Sequence, residues 1–158
     1  MLFLIFFACS TSESKIKIEE PAKTEEGQDG NIDLEPPTNG SNTFVHDNLQ
    51  RLFQIHIPEN LPSDAPLVIV MHGYTSSAEV IEDYSGMNDI ADENGFVVVY
   101  PQGTTSNGLN THWNNGGWTS KSTAKDIEFI DTVIDYLKEK ISIDETRIYS
   151  SGMSNGGY

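Results

Sequence analysis

An α/β architecture around a mainly parallel sheet is what this sequence predicts, on three observations. Two apolar runs, Leu67-Val68-Ile69-Val70-Met71 and Phe96-Val97-Val98-Val99-Tyr100-Pro101, read as central strands covered on both faces. Helical patterns alternate with them, which favours parallel strands joined by right-handed crossovers. The third observation is Gly152-Met153-Ser154-Asn155-Gly156-Gly157, a G-x-S-x-G string straight after Thr146-Arg147-Ile148-Tyr149-Ser150, itself read as a short buried strand.

Taken in order, residues 10–43 are poor in apolar side chains and rich in Glu, Asp, Lys, Ser, Pro and Gly. They read as a disordered acidic linker. Structure is expected from about Phe44. Arg51-Leu52-Phe53-Gln54-Ile55-His56-Ile57-Pro58 alternates like a strand with one buried face. Residues 77–94 are helical in pattern, broken near Ser85-Gly86, with Met87, Ile90 and Ala91 facing inward and Gly95 closing the helix. A long polar loop follows over 102–124. An amphipathic helix over 125–141 is expected to bury Ile127, Ile130, Ile134, Leu137 and Ile141. His72, Gln102 and Ser154 all lie just past strand ends. On an α/β sheet such residues share the rim where ligands bind.

The 158-residue chain carries 24 acidic against 9 basic residues, a net charge of −15. Such a surface repels nucleic acid and anionic membranes, so no nucleic-acid partner is expected. Its one cysteine, Cys9, forms no internal disulfide. Cys9 follows Leu2-Phe3-Leu4-Ile5-Phe6-Phe7-Ala8, a run too short to span a bilayer. Residues 1–9 resemble the end of a bacterial lipoprotein signal, with Cys9 as the lipidated residue. No Lys or Arg precedes the run, and an ordinary secretory signal is the alternative. Either way export is expected, with membrane attachment only through a lipid at Cys9. Residues 44–158 are expected to be the folded part, the N-terminal portion of a larger domain.

The glycine spacing at the chain's end has a physical reason. A serine at the tip of a sharp strand-to-helix turn takes a strained backbone, and the residues two before and two after it crowd each other. Such a turn exposes the hydroxyl beside backbone N–H groups that can hold an oxyanion. Ser154 is therefore the candidate nucleophile and Asn155 one oxyanion donor. The second donor is expected in the His72-Gly73-Tyr74-Thr75 turn, at Tyr74 or Thr75, with Tyr74 favoured. A serine hydroxyl needs a histidine base. His46, His56, His72 and His112 all precede Ser154, whereas this fold supplies acid and then histidine after the nucleophile. His72 reads as structural, and His112 is the only loop histidine near the rim. The sequence ends at Tyr158, so the expectation is a chain truncated after the nucleophile elbow, without the triad Asp and His. No His, Asp or Glu grouping has metal-ligand spacing, and no cofactor is expected.

Residues 67–73, Tyr100-Pro101-Gln102-Gly103, Trp113-Asn114 with Gly117-Trp118, Asp126 with Phe129-Ile130, and residues 152–157 together resemble the secreted polyhydroxybutyrate depolymerase and feruloyl esterase family. The resemblance covers about 45–158, roughly that family's first half. It implies an α/β-hydrolase fold, a mainly parallel sheet with flanking helices. It also implies an exported serine carboxylesterase acting through an acyl-enzyme on polymer- or polysaccharide-linked esters. The loop from His112 to Trp118 resembles the family's tryptophan-containing loop beside the active site. Trp113 and Trp118 either stack on an aryl group or sugar ring, or pack beneath the loop over the core. Asp126, opening the helix, reads as structural. Two other readings stand beside the esterase. One is a non-catalytic glycan-binding surface lipoprotein or inactive fragment; the other is an acyltransferase with the same site.

Overall fold

The computed structural model describes residues 35–106, 108, 110–117, 119 and 121–158. The expected signal (1–9) and most of the linker lie outside the described residues. Strands β1 (Gly40–His46) and β2 (Leu49–His56) form a hairpin, so regular structure starts four residues before Phe44. β1 hides because only Phe44 along it is buried. The connecting Asp47 and Asn48 both take positive φ, 49° and 59°. Two left-handed residues give the turn that matches the twist of a hairpin, and Asp and Asn tolerate that region.

Strands β3 (Ala65–Met71), β4 (Val97–Pro101) and β7 (Ile143–Gly152) complete a five-stranded sheet of order β1-β2-β4-β3-β7. β3 is parallel to both β4 and β7, and the hairpin joins antiparallel through β2 against β4. Strand alternation feeds two cores. Phe53, Ile55, Leu67, Ile69, Val97 and Val99 face helix α3 (Asp126–Lys140), whose Phe129, Val133 and Leu137 are buried. Val70, Val98 and Tyr100 face the other way, toward α1 (Ala78–Ser85) and α2 (Met87–Asn94). The break between these helices falls at Gly86 with φ 62°, and Gly95 (φ 71°) caps α2 by donating to Ala91 O.

Three expectations of burial need correction. Ile90 is 44 % exposed, because α2 turns Ala91 and Met87 to the sheet instead. Ile127 is 75 % exposed, because the stripe of α3 is centred one position over, on Asp126, Phe129, Val133 and Leu137. Residues 146–150 are not a buried strand: β7 stands at the end of the described sheet, paired only with β3, and most of it is exposed. The loop expected over 102–124 also contains a small hairpin, β5 (Thr104–Ser106) and β6 (Asn110–His112). Its strands are short and polar, so no apolar alternation announced them.

Two buried polar groups tie these layers together. The guanidinium of Arg51, on the core face of β2, pairs with Asp126 at 2.7 Å, lies 3.8 Å over the Phe129 ring and donates to Gln102 O at 3.2 Å. Asp126 also accepts from Asn114 N–H at 2.7 Å. His72, just past β3, is fully buried. Its Nδ1 bonds Gly73 O at 2.7 Å, and its Nε2 accepts from Gly103 N–H at 2.9 Å. Those partners fix a neutral imidazole protonated on Nδ1. Burial pushes its pKa below 6.5, opposed by the Gly73 carbonyl and the charge of Asp126.

Both features have measurable consequences. Asp126→Ala leaves Arg51 buried without its counter-charge, a change that costs about 3–5 kcal/mol. The urea midpoint is expected to fall accordingly, and a loss below about 1 kcal/mol would contradict the pair's importance. For His72 the depressed pKa means that, as pH drops below about 6.5, the unfolded chain takes up a proton that the folded chain refuses. Stability is thus retained above that pH and falls below it. Urea titrations between pH 7 and pH 5 are expected to show a steeper loss for the native chain than for His72→Gln; equal slopes would contradict the assignment.

Candidate active site

Ser154 ends the turn after β7 with φ 49°, a left-handed backbone that a non-glycine residue adopts only where its surroundings hold it. Its neighbours explain the hold. A Cβ on Gly152 would overlap the Gly156 carbonyl, and one on Gly156 would lie 2.5 Å from His72 O and 2.7 Å from Met71 O. Only glycine at both positions lets the turn fold back on itself and press against the end of β3. Met153 N–H donates to Met71 O at 3.0 Å, completing the seat. A short 3-10 helix, Ser154–Gly157, follows. Ser154 is exposed while Asn155 and Gly156 are buried.

The His72-Gly73 turn abuts this elbow. A Cβ on Gly73 would stand 3.2 Å from Met153 Cε and 3.7 Å from the Ser154 Cβ. The structure therefore brings Ser154, Asn155 and the turn before Tyr74 together on one rim. Gln102 joins them, with Nε2 3.1 Å from His72 Nε2 and Oε1 accepting from Ala78 N–H at the start of α1. Of the two expected second donors, Thr75 gives its N–H to Thr111 O at 2.8 Å. Asn155 stands at the start of the 3-10 helix, where the first N–H groups lack an intrahelical acceptor.

Trp113 is not an exposed stacking platform: it is 5 % exposed and packs in the α3 core. Its indole N–H donates to His72 O at 2.8 Å, and its ring centroid lies 5.1 Å from that of His72. The packing alternative therefore holds for Trp113. Trp118 and Cys9 lie outside the described residues. His112 is buried, with Nδ1 3.2 Å from Asn110 O. His56 pairs with Asp92 at 2.7 Å and stands beside Val98, at the end of the sheet away from the rim. His46 packs against Phe129 on the α3 side. Asp126 is structural, as its pairing with Arg51 requires.

Sequence reasoning missed the Asn155 side chain. Its Oδ1 accepts from Trp113 N–H at 2.7 Å and its Nδ2 donates to Trp113 O at 3.3 Å, so the residue after the serine also latches the elbow to the tryptophan loop. It missed Arg51, an unusual charge on a core-facing strand position. It gave Gly103 no role beyond its motif, although a Cβ there would lie 2.5 Å from His112 O.

Cavities flank the rim. One of about 800 Å³ is lined by Tyr74, Thr104, Asn110, His112 and Thr119 among others. One of about 430 Å³ is lined by Trp113, Asn114, Ile130, Asn155 and Gly156 among others. Ser154 lines neither, so cavity size alone would not have found it. Among the described residues no group of three His, Cys, Asp or Glu side chains is arranged to hold a metal, and no helix is long and apolar enough to cross a membrane.

Comparison with known proteins fits this geometry. The model of the prolyl oligopeptidase family matches residues 83–158, the stretch from α1 to the elbow. A bifunctional acetylxylan esterase/xylanase of Neocallimastix patriciarum is 35% identical over 107 residues, 68% of this chain and 15% of that protein. Poly(3-hydroxyalkanoate) depolymerase C of Paucimonas lemoignei is 33% identical over 105 residues, 65% of this chain and 25% of that protein. The solved acetyl xylan esterase from Aspergillus awamori superposes with a TM-score of 0.55 at 20% identity, over 75% of this chain and 44% of that one. The chain thus spans a minor part of each of these relatives. Over the matched residues it has the α/β-hydrolase fold, and its sequence is similar to the acetylxylan esterases, feruloyl esterases and polyhydroxyalkanoate depolymerases that its motifs resemble.

Proposed function

We propose that the protein is an exported serine carboxylesterase that cleaves polymer- or polysaccharide-linked esters with Ser154 as nucleophile. The observation that carries this reading is the elbow itself. An exposed serine is held at φ 49° by two glycines that nothing larger can replace, against the turn that precedes Tyr74. Strain of this kind is kept where a function requires it.

The chemistry follows from that placement. Ser154 Oγ attacks the ester carbonyl carbon and gives its proton to a general base. The carbonyl oxygen becomes an oxyanion, held by the N–H groups of Asn155 and Tyr74. The bond to the alcohol oxygen breaks, the alcohol leaves with the proton, and the acyl group stays on Ser154. Water then attacks the acyl carbon, releasing the acid and restoring the hydroxyl. His72 does not act as the base, since both its ring nitrogens are engaged within the fold. In this fold acid and histidine follow the nucleophile in the chain.

The ester class draws on the relatives, named for acetylxylan, ferulate and polyhydroxyalkanoate. Export and lipid attachment rest on the residues before and at Cys9. The non-catalytic glycan-binding alternative is weakened, because the Trp113 platform it relied on is buried. Ser154→Ala, in the protein as its cell makes it, is expected to lower kcat on short nitrophenyl esters by about 10³-fold or more, as loss of a nucleophile does. Hydrolysis at the native rate in that variant would exclude Ser154 as the nucleophile.

A further inference from the structure

Building on the esterase reading, we infer that Thr111, on the small β5–β6 hairpin, is a positioning residue that holds the oxyanion-binding turn in shape. The turn contains a second strained residue. Thr75 has φ 64°, and a β-branched side chain in the left-handed region is a genuine outlier. Such a conformation costs on the order of 1–3 kcal/mol and persists only where several contacts enforce it.

Thr111 supplies two of those contacts. Its carbonyl accepts from Thr75 N–H at 2.8 Å. Its hydroxyl donates a short hydrogen bond to the carbonyl of Ser76. One β6 residue therefore grips the backbone on both sides of the strained position. The grip reaches the proposed oxyanion donor through a single peptide. Gly73 C=O and Tyr74 N–H share one planar trans unit, so they point in opposite directions. Gly73 O is bonded to His72 Nδ1 at 2.7 Å and to Ser76 N–H at 3.2 Å. Fixing Ser76 from Thr111 fixes Gly73 O, and with it the direction of Tyr74 N–H. The hairpin is itself anchored, because Gly103 just before it donates to His72 Nε2 and Trp113 just after it bonds Asn155 and His72 O. Serine elbow, oxyanion turn and hairpin thus form one closed set of bonds around His72.

Thr111→Val removes the hydroxyl, keeps the carbonyl and nearly preserves the shape. Misplacing an oxyanion donor costs rate rather than substrate affinity, so kcat on a soluble nitrophenyl ester is expected to fall about 10- to 100-fold with KM within about twofold. Thr111→Ser, which keeps the hydroxyl, is expected to stay within about threefold of native kcat, on the same geometric ground. Native kcat in Thr111→Val, or equal impairment in Thr111→Ser, would overturn the inference while leaving the esterase reading intact. So would a loss of kcat that merely follows a lower folded fraction, read from the urea midpoint. If the native protein itself shows no esterase turnover, the esterase reading fails and the inference falls with it.

Discussion

The neutral, buried imidazole of His72 is the constraint on which the rim depends. Its Nδ1 proton reaches Gly73 O, its Nε2 takes the Gly103 N–H, its carbonyl takes the Trp113 indole, and the same carbonyl, together with that of Met71, excludes any side chain at Gly156. These four contacts connect the His72-Gly73 turn, the β5–β6 hairpin, the tryptophan loop and the elbow. A charged imidazole would lose an acceptor at Nε2 and face the desolvation that already depresses its pKa. A histidine sitting next to a candidate serine thus works here as a joint between loops.

The sheet supplies the platform for that joint. β3 lies inside the sheet between β4 and β7, with Leu67 and Ile69 packed toward α3 and Val70 toward α1 and α2. Its last residue, Met71, accepts from Met153 and stands against Gly156. Rigid packing below therefore sets where Ser154 stands above. Arg51 and Asp126 do the same job from the side, fixing the start of α3 to β2 and holding Asn114 in the tryptophan loop. Such a pair contributes definition more than net stability, since two charges had to leave water to form it.

Much of this was legible in the sequence because the signals were local and redundant. Apolar runs bounded by turns gave β3 and β4, Gly86 and Gly95 gave the helix ends, and the glycine spacing gave the strained serine. What stayed hidden depended on partners distant in the chain. Nothing near Arg51 says that it meets Asp126, 75 residues away. Nothing near Trp113 says that its indole is consumed by His72 rather than offered to a ligand. On α3 only Ile127 departs from the expected stripe, since Ile130, Ile134, Leu137 and Ile141 do pack on the core, and the buried Asp126 and Phe129 beside it were not part of the apolar pattern. β5 and β6 escaped notice because three-residue polar strands bury too little to leave a pattern.

Ser154 is the proposed nucleophile. Reaction of the native protein with a fluorophosphonate probe, followed by mass mapping of the adduct, tests that claim most directly. A hydroxyl next to a working oxyanion site attacks phosphorus and retains it, so one covalent adduct is expected, on the peptide bearing Ser154. An unlabelled protein, or an adduct on another residue, would contradict it.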